Sequence, residues 1–407
     1  MYMTFSASFA MKTVVFTSAG IASCTAPFVL ADNVDFLDPP HAVAAPEVAR
    51  DMGPETAEDY APQDLRPLVR IGAKLAYNDA LGPVVGASVA SDRLFNDRAR
   101  LRFGIEASED SLAYNLDLSG DLTGGEPVFG LGVSADRSQA NDLYAFDSQS
   151  LSLTPRLSWT LGEGRSLTTY LSLSQAEISN VSGTTSALIQ NDEGSRDRYA
   201  LGLRYSWLDA TPGENRLGQR HDLVLELGST SEDHEFLMLQ AKSAASWSFG
   251  AAGGIRLTTR LSAGTIHALE GESHVGDRYM LGQASLRGFA FGGFGPRDMA
   301  VADTPALGGN SFAVARVDAQ FPNALGDSPI LPGVFLDVGT LWGLDNTAGG
   351  VAGADPVDDA AHLRASAGVS FEFDTGVGKL TLNAAVPLQK QDYDEVENLS
   401  LSFQTSF

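Results

Sequence analysis

Cysteine is almost absent: the 407-residue chain holds one, Cys24. A disulfide framework and any cysteine-based zinc or iron–sulfur site are therefore excluded. Basic residues are scarce as well, 27 Lys and Arg against 51 Asp and Glu, for a net charge of −24. A nucleic-acid binder needs a basic face to meet phosphate, so that class is set aside. No charge-free apolar run of ~20 residues follows the N-terminal region, which removes a helical membrane protein. Catalytic signatures are missing too. There is no HExxH, no Gly-x-Ser-x-Gly and no P-loop, and His41, His221, His234, His267, His274 and His362 are scattered. The chain reads as a non-enzyme with no cofactor and no resident metal.

What remains is glycine-rich (42 residues), only 19% charged, and near neutral in mean hydropathy at −0.04. Strands that alternate apolar and polar residues average to that value, as those of a transmembrane β-barrel do. The N-terminus reads as an export signal over residues 1–31, with a start at Met1 or Met11. Met11-Lys12 opens a short apolar core, and Val29-Leu30-Ala31 offers small residues for cleavage ahead of Asp32. The competing reading takes Ile21-Ala22-Ser23-Cys24 as a lipoprotein box with Cys24 lipidated. Residues 32–66 are rich in Pro, Ala and acid without a sustained period, and read as a disordered periplasmic linker.

From residue 67 to 407 the period is two. Leu101, Phe103 and Ile105 oppose Arg102, Gly104 and Glu106; Tyr199, Leu201, Leu203, Tyr205 and Trp207 oppose Gly202, Arg204 and Ser206. Charged residues keep to the polar register. A charge facing lipid at mid-membrane costs roughly 2–4 kcal/mol, so that segregation predicts a barrel in a bilayer. An open sheet edge is intolerable in hydrocarbon, so the sheet must close. The pattern predicts an all-β, antiparallel transmembrane barrel of about sixteen strands, at 67–77, 83–91, 99–108, 111–121, 127–136, 149–160, 165–175, 197–208, 221–230, 235–247, 252–264, 311–321, 333–342, 362–373, 379–387 and 397–407. Long connections follow odd strands, the longest being the sixth loop at 265–310.

The final strand, Asn398–Phe407, sets Leu399, Leu401, Phe403 and Phe407 on the lipid face and ends on an aromatic residue. It resembles the C-terminal assembly signal of bacterial outer-membrane proteins, which implies export to a Gram-negative outer membrane and insertion by the host's own barrel assembly machinery.

Within the long loop stand Leu286-Arg287-Gly288-Phe289, Gly295-Pro296-Arg297 and Leu307-Gly308-Gly309-Asn310. The strands beyond it read Ala313-Val314-Ala315-Arg316-Val317-Asp318 and Phe335-Leu336-Asp337-Val338-Gly339-Thr340-Leu341-Trp342. In combination these resemble the BamA-like outer-membrane assembly factors, the bacterial surface-antigen family. The resemblance is close over 250–407 and architectural over 67–250. It implies a loop folded back into the lumen, with Arg287 at the tip and Asp318 and Asp337 as its partners. Gly288 would allow the tight turn beside it. Leu286 stands where Val is usual, and Gln283 interrupts a paired glycine. Full family members carry periplasmic polypeptide-transport-associated domains ahead of the barrel, and 32–66 is too short for one.

Three functions follow as expectations: insertion or assembly of unfolded outer-membrane protein clients through a lateral seam between first and last strands, a passive pore or translocation channel, and a structural or adhesive surface antigen. Outer-membrane lipid and lipopolysaccharide are the expected surroundings. His267 and His274 beside Glu270 and Glu272, and the stretch Asp345–Asp359, read as solvated acidic loops.

Overall fold

Sixteen antiparallel strands pair in chain order, and the last pairs with the first: β1 (Arg70–Asn78), β2 (Gly82–Leu94), β3 (Ala99–Ala107), β4 (Ser111–Gly120), β5 (Val128–Ser138), β6 (Asp147–Gly162), β7 (Arg165–Ser179), β8 (Gly194–Asp209), β9 (Arg216–Thr230), β10 (Glu235–Phe249), β11 (Ile255–Glu270), β12 (Ser311–Gln320), β13 (Ile330–Trp342), β14 (Arg364–Asp374), β15 (Lys379–Gln389) and β16 (Leu399–Ser406). The computed structural model describes residues 69–406 apart from 79–81, 96–97, 122–123, 141–145, 210–215, 251–253, 323, 327 and 376–377. The expected signal peptide, Cys24, the 32–66 linker and Phe407 lie outside the described residues.

Burial runs opposite to that of a soluble sheet. Leu201, Leu227 and Leu261 point outward at 55–61% exposure, while Arg204, Asp337 and Arg364 point inward at 0–2%. A water-soluble sandwich hides its aliphatic register; this wall displays it and turns its charges in, the arrangement a bilayer selects. Glycine gives the inward register room for aromatic rings. Tyr170 lies across Gly202 on the paired strand, Phe236 across Gly228, Phe312 across Gly264 and Phe335 across Gly368. A Cβ on any of these glycines would stand within 2.6 Å of its ring.

Each of the sixteen expected strands is present, and several run farther. Because Thr265–Glu270 continue the alternation, with Leu237 opposite His267 and Glu235 opposite Glu270, β11 is longer than expected and the long loop begins at 271 rather than 265. On the same side, the loops at 180–193, 343–363 and 390–398 cover the mouth. The first contains one helical turn, Ala187–Gln190, whose Leu188 N–H donates to Ser186 Oγ.

Loop 271–310 fills the lumen. Its Tyr279, Leu281, Leu286, Phe289 and Phe294 pack on Val224, Phe236, Met238, Ile266, Phe312, Val314 and Leu341 of the wall. At about 1.5–3 kcal/mol for each large side chain fully removed from water, this packing is the main force holding the loop inside. A second cluster joins Val275, Met280 and Leu307 to Phe146, Ile178, Leu188, Ile189 and Val357 near the mouth.

Candidate functional site: the anchored lumen loop

The turn that carries Arg287 is made locally. Gly282 O accepts from the N–H groups of Ser285 and Leu286, which folds the chain back just ahead of the arginine. Leu286 is fully buried against the wall and takes the place of the usual Val without disturbance. Gly288 follows at φ +92°, where a side chain is strained, and a Cβ there would stand 3.2 Å from Ala385 and 3.3 Å from Ser366. Phe289 then packs edge-on against Phe294, with ring centroids 5.4 Å apart.

Strand pairing sets the receiving carboxylates. Asp318 on β12 and Asp337 on β13 both occupy the inward register, and Arg316 stands directly opposite Asp337. Arg287 Nε donates to Asp337 Oδ2 (2.7 Å) and Nη2 to Asp337 Oδ1 (2.6 Å), a parallel two-bond fork. Nη1 donates to Asp318 Oδ1 at 2.6 Å, and the backbone N–H of Arg287 also reaches Asp337 Oδ2. The guanidinium lies 3.6 Å above the Phe335 ring centroid. Ser366 Oγ donates to the Arg287 carbonyl, so backbone and side chain are both held. Arg260 Nη1 donates to Asp318 Oδ2 at 2.7 Å, and Arg316 Nε lies 3.6 Å from Asp337 Oδ2.

Beyond the tip, the loop is tied to the connection that enters β16. Gly288 and Phe289 form a short ladder with Glu397 and Val396. Ala290 N–H donates to Glu395 O and Glu395 N–H to Gly293 O. Arg297 Nη1 donates to Glu395 Oε1 at 3.0 Å, and Gln283 Nε2 to Leu399 O at 3.5 Å. Next to it, Arg364 of β14 forks onto Asp394 with two 2.9 Å bonds, both side chains fully buried. Sequence reasoning assigned no role to Arg260, Arg297, Arg316, Arg364 or Asp394. The inward register marks Arg260, Arg316 and Arg364, whereas Asp394 and Glu395 sit in a loop whose partners no local pattern reveals.

The acidic stretches at the mouth keep Glu270, Glu272, Asp345, Asp355 and Asp358 exposed, as expected, while Asp345 also tethers loop 271–310. Asp345 accepts from Ser273 N–H and Asn310 Nδ2; burial opposes its charge, yet these bonds hold the carboxyl below its ordinary range. His274 Nε2 lies 3.3 Å from Asp192 and 3.2 Å from Glu232, bringing loops 180–193, 231–234 and 271–310 together. Burial, followed by Arg196 nearby, pushes the His274 imidazole down to about 3, and burial pushes the Asp192 carboxyl up to about 6. His267 stays on β11 and does not join this group.

At the far end of the chain, Leu399 and Leu401 point outward, and Phe403 pairs with Leu75 of β1 on one side and Leu380 of β15 on the other.

Comparison with known proteins places this geometry. The barrel of BamA from Haemophilus ducreyi, in a structure lacking POTRA domains 1–3, superposes with a TM-score of 0.68 at 17% identity, over 84% of this chain and 71% of that one. CdiB from Acinetobacter baumannii (TM-score 0.55) and CdiB from Escherichia coli (0.56) are each 12% identical over 84% of this chain, covering 60% and 63% of their own lengths. These likenesses carry the fold. Residues 70–407, the whole of the barrel and its inserted loop, match the Omp85 superfamily domain, and the chain belongs to that superfamily.

Proposed function

We propose that this chain is an outer-membrane barrel that assists the insertion or assembly of outer-membrane proteins through the seam between β1 and β16. The observation that carries this reading is the shape of the seam. β16 is held by six register pairs on each side, Gly72↔Ser406 to Tyr77↔Leu401 with β1 and Lys379↔Gln404 to Ala384↔Leu399 with β15, whereas β10 and β11 share fifteen. The strands that meet there are 9 and 8 residues long, against 16 for β6, β8 and β11. Eight and nine residues sit at or just below the ~9–11 that a tilted transmembrane strand needs. Opening six pairs then exposes strand edges to which an unfolded client adds its own strand.

No covalent chemistry is required. Arg287, Gly288, Phe289, Asp318 and Asp337 act as the lock that fixes loop 271–310 in the lumen, so that the seam is the part free to open. The partners are unfolded outer-membrane protein clients, with lipid and lipopolysaccharide around the wall. The chain itself arrives by way of an N-terminal export signal and is assembled by the host's barrel machinery, with its last strand as the signal.

The test uses vesicles carrying the purified protein. The folding rate of an unfolded outer-membrane client is followed together with dye leakage. Client folding is faster than in empty vesicles, and the gain is lost when Ala76→Cys and Ser402→Cys, a register pair, are oxidised in a Cys24→Ser background. Leakage without acceleration, or acceleration indifferent to the disulfide, overturns the reading and leaves a passive pore.

A further inference from the structure

Three of the chain's four tryptophans, Trp159, Trp207 and Trp247, stand at one rim of the wall. Each lies two or three residues before its strand ends at a short turn, on β6, β8 and β10. They share the outward register of Leu157, Leu203 and Leu239. The same ends of β1, β3 and β5 carry Ile71, Leu101 and Phe129 instead. The tryptophan rim is therefore one-sided, and it lies away from the seam between β1 and β16.

A row of polar groups crosses this rim on the outward face. Arg165 of β7, Trp207 of β8, His221 of β9 and Ser243 of β10 are successive register neighbours. The Arg165 guanidinium lies 5.7 Å from the Trp207 ring centroid, and the His221 ring stacks on that indole with centroids 4.9 Å apart. Ser243 Oγ stands 2.9 Å from His221 Nδ1, and a hydroxyl donating there leaves the imidazole proton on Nε2. Arg165 has no carboxylate partner among the described residues; Glu163 in the turn and Asp209 at the end of β8 lie nearer water.

Hydrocarbon penalises such groups, so the row marks the depth at which lipid headgroups begin. Its donors suit a phosphate. A guanidinium forks onto two phosphate oxygens, while the imidazole and indole N–H groups each add a single bond. Beside the row, Leu171, Leu203 and Leu223 are exposed to an acyl chain, a contact that free phosphate cannot make.

We propose that Arg165, Trp207 and His221 form a binding site for the phosphate headgroup of one glycerophospholipid, drawn from the leaflet at the short-turn end of the barrel. The site lies outside the lumen and away from the seam, so a barrel that inserts no clients still shows it.

The test is native mass spectrometry of the full chain released from dodecyl maltoside micelles with added phosphatidylethanolamine. The wild type retains one lipid. Changing Arg165→Gln and His221→Gln together weakens retention about tenfold, as expected for the loss of charge-assisted bonds. Arg137→Gln, at the opposite end of β5, leaves it unchanged. Heat-modifiability on gels identifies the folded fraction of each variant. Equal retention by wild type and the double variant overturns the proposal. So does equal retention of a diglucosyl diacylglycerol with the same acyl chains, and displacement of the lipid by inorganic phosphate would make this a free-anion site instead. A second measurement needs no variant: a phospholipid with a photoreactive headgroup, in vesicles, cross-links the wild-type protein at residues 163–168, 205–209 and 219–221. Cross-links spread evenly around the barrel, or absent from these residues, overturn it.

Discussion

Arg287 of the lumen loop and Asp337 of β13 face each other as fork and fork, through bonds of 2.7 and 2.6 Å, with the carboxylate wholly shielded from solvent. Removing one member of such a pair leaves the other charged and buried, which costs about 3–5 kcal/mol. Arg287→Ala and Asp337→Asn are therefore each expected to lower the urea midpoint of vesicle-bound protein by an amount of that order, followed by tryptophan fluorescence. Arg287→Lys keeps the charge but not the fork, and falls between wild type and Arg287→Ala. An Arg287→Ala midpoint equal to wild type would show that loop packing alone holds the tip.

Gly288 allows the turn to exist. With φ at +92° and Ala385 and Ser366 within 3.3 Å of a Cβ, Gly288→Ala meets both strain and crowding. A cost of about 1–3 kcal/mol is expected from the strained backbone. Gly183, which has open space where a Cβ would go, is the control, and its Ala variant stays near wild type. Equal midpoints for the two variants would place the turn's stability elsewhere.

The mouth cluster predicts how the loop tethers respond to acid. His274 is held neutral in the fold, down to about 3, while an unfolded histidine takes up its proton near 6.5; that difference removes stability as the pH falls through 6.5 toward 3. Asp192 works the other way. Its carboxyl is raised to about 6, so the folded protein binds a proton before the unfolded chain does, and stability rises as the pH falls from 6 toward 4. Between pH 7 and 4.5, His274→Gln should lose less thermal stability than wild type, and Asp192→Asn more. Identical pH profiles for all three would contradict the shielding seen here.

How much of this was legible in the sequence depends on the range of the interaction. Alternation is a local signal, so the lipid-facing register around Leu201 and Leu203 and the inward one around Arg204 could be read residue by residue, and the sixteen strands with them. Partnership across the lumen is not local. Arg287 and Asp337 are fifty residues apart, and only the resemblance of the loop and the two following strands to a known family pointed from one to the other. Arg364 and Asp394 had no such guide. Nor did Asp345 and Asp192, whose contacts with Ser273, Asn310 and His274 no local pattern reveals.

Because Arg364 fastens Asp394 just ahead of β16, the pair governs how firmly the upper end of the last strand is held. Both side chains are fully buried, Arg364 Nη1 also donates to His362 O, and Tyr393 stacks within 5.8 Å of the guanidinium. Asp394→Asn retains shape and removes the charge, so Arg364 is left buried without a counter-ion, at about 3–5 kcal/mol. The loss acts on the short connection 390–398 and, through Val396 and Glu397, on the ladder with Gly288 and Phe289. Amide hydrogen exchange at Leu399–Phe403 is therefore expected to speed up in Asp394→Asn, while β8 and β9, on a distant part of the wall, keep their wild-type rates. Uniform acceleration across the barrel would mean that the pair supports global stability alone. Selective acceleration at β16, with faster client folding, would make Asp394 the residue that sets how readily the seam opens.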